Sequence, residues 1–570
     1  MMEKRWIFKP LPPKEIIEQL SKSIHVPESL AILLTQRGVH SFEEARNFFR
    51  PTLDQLHDPF LMKDMDKAVE RLVQAIYTHE KIVVYGDYDV DGTTSVALFY
   101  GFLRTFYNNL LFYIPDRYKE GYGVSQTGID WAYEQGASLM ITLDCGIKSA
   151  QLVEYATEKG IDFIICDHHR PDLHLPQAYA VLDPKRSDCQ YPYKELSGCG
   201  VGFKLLQGFC MQNSIPLDKL YPFMDLLAVS IASDIVPITG ENRVMAYYGL
   251  QLLNSNPRPG LQALIQIAGF EKKLTISNVV FGLGPRINAA GRIAHAHAAV
   301  HLLLSHSKIE AEEYAREINL NNRDRQGFDT HITKEALSMI EADGLSKENK
   351  TTVLFKNDWH KGVIGIVASR CIEKYHRPTI ILTESHSKAS GSARSVPGFD
   401  VYNAIEECSE LLEQFGGHMY AAGLTLKIEN VAAFRQKFEQ VVASKITEDQ
   451  LIPPVEIDLA LNLNQINYKF YNVIKQMEPF GPENMQPVFV SEKVYARDNA
   501  RVLKDMHLKI SVYQEDSPVF EAIGFGMAAF YEKVSIGKPF RLCYQVVENN
   551  FRDNKSLQLL IKDIKFYEVE

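Results

Sequence analysis

Two hydrophobic periods alternate between residues 66 and 182. Asp66–His79 carries apolar positions at helical spacing, and Lys81–Tyr85 is a short run rich in β-formers. Thr93–Tyr107 is apolar and helical, Leu111–Ile114 strand-like, and Gln126–Gly136 helical. Leu139–Leu143 reads as a strand, Ala150–Gly160 as a helix, and Phe163–Cys166 and Tyr179–Leu182 as two further strands. Strands alternating with helices predict a mostly parallel α/β sheet. Ligands of such sheets sit beyond the carboxyl ends of the strands.

The pattern changes on either side. Residues 1–64 predict a small helical lead-in punctuated by Pro10, Pro12, Pro13 and Pro51. Residues 65–307 form the first α/β domain. Residues 308–345 are charged, with sparse apolar points at Tyr314, Ile318, Ile332 and Leu337, and predict one long connecting helix with Gly327 as the point of a break. Residues 346–448 predict a smaller α/β domain. Its strands are Thr352–Phe355, Thr379–Leu382, Ala389–Ala393 and Gly423–Leu426, with helices near 362–376, 401–413 and 430–444. Residues 449–570 follow Pro453-Pro454 with short strand-like runs, the texture of a small β-barrel.

Composition narrows the class. The 570 residues are 46% hydrophobic and 23% charged, an ordinary globular mixture. Eight cysteines form no C-x-x-C pair and no zinc spacing, which predicts reduced thiols in a cytoplasmic protein. No leader-like apolar region follows Met1, and no run approaches the ~18 apolar residues of a membrane span. The formal net charge of −10 argues against a broadly basic surface, so any nucleic-acid path is a local groove. A cluster of carboxylates is itself negative until metal binds. No G-x-x-x-x-G-K-[ST] occurs, and the glycines at 198–202 and 282–284 do not complete G-x-G-x-x-G, so ATP use is not indicated.

Candidate chemistry collects at strand ends. The strand Lys81–Tyr85 runs into Gly86-Asp87-Tyr88-Asp89-Val90-Asp91-Gly92, Leu139–Leu143 into Asp144-Cys145-Gly146, and Phe163–Cys166 into Asp167-His168-His169. The apolar helix Phe223–Ala232 leads to Ser233-Asp234. In a parallel sheet the first three groups project from one edge and can converge. D-x-D-x-D-G also opens an EF-hand loop, but that loop needs Glu at its twelfth position, here Leu98, and no strand before it. Carboxylates with one or two imidazoles suit Mn²⁺ or Mg²⁺, and two such ions can clamp an in-line displacement at phosphorus.

The motifs YGDYDVDGTTS (85–95), TLDCGI (142–147), CDHHRP (166–171), GPRINAAGR (284–292), GSARSVPGFD (391–400), FGGHMYAAG (415–423) and EPFGPENMQPVF (478–489) occur in this order. Together they resemble the DHH phosphoesterase superfamily, in its branch of single-strand-specific 5′-exonucleases, over most of the chain. The resemblance implies a DHH domain, a DHH-associated substrate-binding domain and an oligonucleotide-binding barrel. It implies Asp89, Asp91, Asp144, His168 and Asp234 as metal ligands, with Asp87 and His169 as ligands or their supports, around two Mn²⁺ or Mg²⁺ ions. Small-substrate relatives carry a histidine where this chain has Tyr85, which leaves the coordination of each ion open. Arg117, Arg286, Asn288, Arg292, His360, Ser392, Arg394 and His418 are the implied substrate contacts, with Arg501, Lys504, Lys509, Phe551 and Arg552 as weaker candidates on the barrel.

The activity so implied is processive 5′→3′ hydrolysis of single-stranded DNA to 5′-mononucleotides, in recombination and repair, alongside a helicase and a single-strand-binding protein. Two rivals stay open on the residues alone. One is a phosphodiesterase for short oligonucleotides or cyclic dinucleotides. The other is an inactive replication scaffold, against which the intact aspartates and histidines argue.

Overall fold

The computed structural model describes residues 2–342, 349–497, 500–535, 537–551 and 554–567. The chain divides into two compact units. One is Ser41–Arg323 joined by Gln476–Gln486, and the other comprises Met1–His40, Asp324–Lys475 and Pro487–Glu570.

The first unit is built on a five-stranded sheet in which every pairing is parallel. Its order is Leu110–Tyr113, Ile82–Gly86, Leu139–Leu143, Asp162–Cys166, Ala180–Leu182. Alternate residues enter two different cores. Ile82, Val84, Ile141 and Ile164 pack with the helices on one face, and Val83, Tyr85, Met140 and Ile165 with those on the other. Burial on both faces explains why these strands read as continuous apolar runs. The register aligns their carboxyl ends. Gly86 pairs with Leu143, Leu143 with Cys166, and Cys166 with Leu182. The next residues on the four strands are therefore Asp87, Asp144, Asp167 and Asp183, level along one edge.

The second unit holds two mixed sheets, of five and of seven strands. The five-stranded one runs Gln414–His418, Ala421–Leu426, Lys388–Arg394, Thr379–Ser385, Thr352–Phe355. Phe434, Phe438 and Val442 of the helix Val431–Lys445 fill its core. A seven-stranded sheet from Leu459 to Phe566 forms the tail, with an extra pairing of Tyr495 to Tyr513 that folds it over. This agrees with the predicted barrel texture.

Three expectations need correction. The N-terminal region is not wholly helical: Arg5–Phe8 is a strand, parallel to Pro454–Ile457. Its partner lies hundreds of residues away, so no local pattern announces it. The helix Lys308–Ala342 runs unbroken through Gly327; one glycine costs only ~1 kcal/mol in a helix. The helix expected over 401–413 stops at Glu406. Gln414–His418, to which the sequence pattern assigns no element, is an edge strand. All eight cysteines are free and buried. Among the described residues no helix is long and apolar enough to cross a membrane.

Candidate metal centre

Each acidic side chain at the sheet edge is placed by a different local device. Asp87 follows directly on the first strand, is fully buried, and accepts Gly123 N–H through Oδ1 at 3.0 Å. Asp89 caps the helix Val90–Leu103, accepting Gly92 N–H at 3.0 Å. Asp91 lies in that helix's first turn and turns inward. It accepts Gly198 N–H at 2.7 Å, Cys199 N–H at 3.0 Å and Ser230 Oγ–H at 2.6 Å. The amides belong to the first turn of the helix Gly198–Gln212, whose dipole favours a carboxylate there. Asp144 sits at φ 61°, the left-handed region that Asp tolerates better than most residues. Asp234 ends the helix Met224–Ser233.

Three of these groups, Asp91, Asp144 and Asp234, converge on one imidazole. His168 Nε2 lies 3.2 Å from Asp144 Oδ1, 3.6 Å from Asp234 Oδ2 and 3.8 Å from Asp91 Oδ2. His168 Nδ1 meets the Leu196 carbonyl at 3.0 Å. That carbonyl can only accept, so Nδ1 carries the proton and Nε2 presents a lone pair. Asp144, His168 and His169, and Asp91, His168 and Asp234, are two groups whose ligand atoms lie within 4.8 Å of one another. Among the described residues, Asp144 Oδ2, Asp87 Oδ2 and His168 Nε2 are buried without a hydrogen-bond partner. A lone pair facing three carboxylate oxygens, with buried acceptors unsatisfied around it, suits a divalent cation and little else. These residues fit the metal.

The electrostatics agree. Burial, then the neighbouring carboxylates, drives Asp144 and Asp234 well above the usual range. Burial raises Asp91 to about 6 and lowers His168 to about 3, holding the imidazole neutral. Such mutual repulsion is what a bound cation relieves. Asp167 behaves oppositely. Burial would raise it, but the hydrogen bond from His169 and that residue's charge hold it below the usual carboxylate range. His169 Nδ1 meets Asp167 Oδ1 at 2.7 Å, and His169 is raised to about 9 although burial opposes this.

Substrate candidates of the first unit frame this centre. The helix Gly284–Ile293 carries Arg286, Asn288 and Arg292. A Cβ at Gly284 would come within 2.7 Å of Ser233 Oγ, and one at Gly291 within 2.7 Å of the Tyr88 carbonyl. The helix therefore reaches from the Asp234 turn to the Asp87–Asp91 loop. Asn288 Oδ1 is buried and unpartnered. Arg286 braces the preceding π-helical turn through the Gly282 carbonyl at 2.7 Å and Asn319 at 3.2 Å. Arg117 lies over the Tyr88 ring at 4.0 Å and donates to the Gly291 carbonyl at 3.0 Å. The Arg292 carbonyl accepts from Tyr118 Oη.

Ser392, Arg394 and His418 lie on the second unit. Arg394 Nη1 donates to Ser392 Oγ at 2.9 Å and to the Ala393 carbonyl at 2.8 Å. Among the described residues it has no ion pair with a carboxylate, and burial lowers its pKa. His418 pairs with Ala421, and Ala421 with Arg394, so the three share one rung of the sheet. Gly416, Gly423 and Ser392 form the next rung but one, on the same face, and the space over both glycines is open. The result is a bare glycine floor beside a rung that carries a guanidinium and an imidazole. His360 stacks on Phe328 at 4.8 Å, and its Nδ1 accepts Gly362 N–H at 3.1 Å. On the tail, Lys509 is held by Glu521 at 3.0 Å. Arg501 is exposed, as is Asp505 beside Lys504, while the Phe551 side chain and Arg552 lie outside the described residues.

Sequence reasoning misses three supports. Asp167 reads there only as part of a motif, yet it orients His169 and accepts Ile147 N–H at 2.9 Å. Ser230 on Asp91 carries no sequence signal. The Tyr85 hydroxyl donates to the Gly123 carbonyl at 2.9 Å, gripping the turn whose N–H meets Asp87.

A parallel sheet whose level strand ends gather aspartates around the first histidine of Asp-His-His defines a DHH-type phosphoesterase. The DHH family N-terminal domain matches residues 81–231, the DHHA1 domain 348–444 and the RecJ OB domain 457–563. The chain is 37% identical to the single-stranded-DNA-specific exonuclease RecJ of Bacillus subtilis, over 98% of this chain and 70% of that protein. It is 32% identical to the RecJ of Escherichia coli, over 97% of this chain and 98% of that protein. The crystal structure of Thermus thermophilus RecJ with Mn²⁺ superposes with a TM-score of 0.86 at 25% identity, covering 99% of this chain and 80% of that one. This chain belongs to the RecJ family.

Proposed function

We propose that this protein is a metal-dependent exonuclease that hydrolyses single-stranded DNA from its 5′ end, releasing 5′-mononucleotides. The observation that carries the reading is the convergence of Asp91, Asp144 and Asp234 on the Nε2 lone pair of His168. We assign Asp87, Asp89, Asp91, Asp144, His168 and Asp234 to holding two Mn²⁺ or Mg²⁺ ions. Bound there, such ions supply Lewis acidity to a water and to the phosphoryl oxygens.

The chain's own groups do the rest. Asp167 fixes the His169 ring through Nδ1, and His169 Nε2, 3.4 Å from the Tyr122 hydroxyl, exchanges that contact for a phosphoryl oxygen when substrate is present. Arg117, Asn288 and Arg292 border the centre and orient the strand. Ser392, Arg394 and His418 offer hydrogen bonds and a forked cation to a terminal phosphate, over a floor without side chains. The tail supplies stacking and cationic groups to the strand behind it. The same reading puts the protein in the cytoplasm, in recombination and repair, with a helicase and a single-strand-binding protein as partners.

The test is a Mn²⁺-dependent assay on single-stranded and duplex DNA, each labelled at either end. Release of labelled mononucleotide from the 5′ end of single strands alone is expected. Equal digestion of duplex, or cleavage confined to dinucleotides in a length series, overturns the reading.

A further inference from the structure

Ile235 comes directly after Asp234 and adopts φ 60°. In that region the Cβ of an L-residue crowds the backbone, and a β-branched side chain is the worst occupant. The turn is fixed from both directions. Asp234 N–H donates to the Ser230 carbonyl at 2.9 Å, closing the helix before it. The Pro237 carbonyl accepts from Asn242 Nδ2 at 3.1 Å and Tyr193 Oη at 3.3 Å. Ile238 N–H donates to the Pro482 carbonyl at 2.8 Å.

Glycine would hold this turn at no steric cost. Isoleucine there is also 64% exposed, so it gains little burial in exchange for the strain. Neither backbone preference nor core packing accounts for the side chain. Its position does: the adjacent Asp234 carboxylate stands 3.6 Å from His168 Nε2, inside the candidate metal centre. A strained residue exposing apolar surface beside reacting groups is one whose surface is covered when substrate is present.

We propose that Ile235 is a substrate-contact residue whose side chain packs on the nucleobase of the nucleotide being released. This rests on the exonuclease reading above. The contact is apolar and shape-based, so it accepts any base and helps seat the terminal nucleotide.

The experiment compares kcat/KM on two Mn²⁺-supported substrates, oligo(dT) and the same strand with an abasic 5′-terminal nucleotide. It uses the full chain and the variants Ile235→Gly and Ile235→Asn, both of which suit a left-handed backbone. The intact protein is expected to prefer the complete strand, and each variant to lose about fivefold of that preference, the scale of one small apolar contact. Thermal midpoints of the variants are expected at or above that of the parent, because strain is relieved. An unchanged preference overturns the proposal, whether rates on both substrates fall together or neither falls. A lowered midpoint also overturns it, since the side chain would then belong to the fold. If the parent protein cleaves neither strand, the exonuclease reading itself fails, a result distinct from these.

Discussion

His168 Nε2 and Asp144 Oδ1 stand 3.2 Å apart, a buried lone pair facing a buried carboxyl group. With Asp144 ionised and no cation this contact is repulsive, whereas a bound cation makes the two groups suited to act as a ligand pair. The two states of Asp144 should therefore separate in stability. Metal-free Asp144→Asn is expected to melt at or above the parent protein. Mn²⁺ at a hundredfold excess over its dissociation constant should then stabilise the parent by about 2.7 kcal/mol and the variant far less. Calorimetry with and without Mn²⁺ checks this. Cleavage by Asp144→Asn should fall by orders of magnitude, and a variant that keeps both the metal shift and the activity would remove Asp144 from the centre.

Tyr85 acts at one remove. Its hydroxyl holds the Gly123 carbonyl while Gly123 N–H holds Asp87. Tyr85→Phe removes the hydrogen bond to Gly123 and the longer one to Ser125 Oγ at 3.5 Å, and leaves the stacked ring on Tyr113. A stability loss of about 1 kcal/mol is expected. With the Gly121–Gly123 turn loosened, Asp87 loses its anchor, and the Mn²⁺ concentration for half-maximal activity should rise severalfold. A Mn²⁺ titration that superposes on that of the parent would confine Tyr85 to packing.

Deeper in the same unit, Lys204 and Glu241 form an ion pair at 2.7 Å with both side chains fully buried. Both groups are further hydrogen-bonded. Lys204 also donates to the His57 carbonyl and to Gln207, both at 2.7 Å, while Glu241 accepts Tyr191 Oη–H at 2.6 Å and His57 N–H at 2.9 Å. Removing one partner strands a charge, so Glu241→Ala should cost about 3–5 kcal/mol. Lys204→Met combined with Glu241→Leu should cost less than the two single changes summed. Denaturant midpoints for the four proteins of the cycle decide it, and simple additivity would mean the pair is not coupled.

Legibility in the sequence tracks the range of the forces involved. The five parallel strands are readable because burial on both faces makes each an unbroken apolar run, and their level ends follow once the sheet is parallel. Asp87, Asp144 and His168 stand out for that reason. The elements that escape depend on distant partners. Arg5–Phe8 is a strand only because Pro454–Ile457 lies beside it. Gln414–His418 carries no strand signal because two glycines weaken strand propensity, and its pairing with Ala421–Leu426 overrides that. Asp167 looks redundant beside two histidines, and only its bonds to Ile147 and His169 reveal its part. The strain at Ile235 is a backbone angle, which no residue pattern records.

Arg394 offers the sharpest separation of binding from folding. Its guanidinium donates to Ser392 Oγ and the Ala393 carbonyl, and burial lowers its pKa, so the charge is held at a cost the fold does not offset with a carboxylate among the described residues. An anion from outside would satisfy it, and the open floor of Gly416 and Gly423 leaves room beside it. Arg394→Ala is therefore expected to leave the thermal midpoint unchanged or raised, since an uncompensated buried charge is removed. The ratio of kcat/KM between 5′-phosphorylated and 5′-hydroxyl strands should fall at least about tenfold, the value of a charge-assisted hydrogen bond. Arg394→Lys keeps the charge and loses the fork, so its ratio should fall between the two. If the ratio holds in Arg394→Ala, this guanidinium does not read the strand's end, and the cost of burying it has some other return.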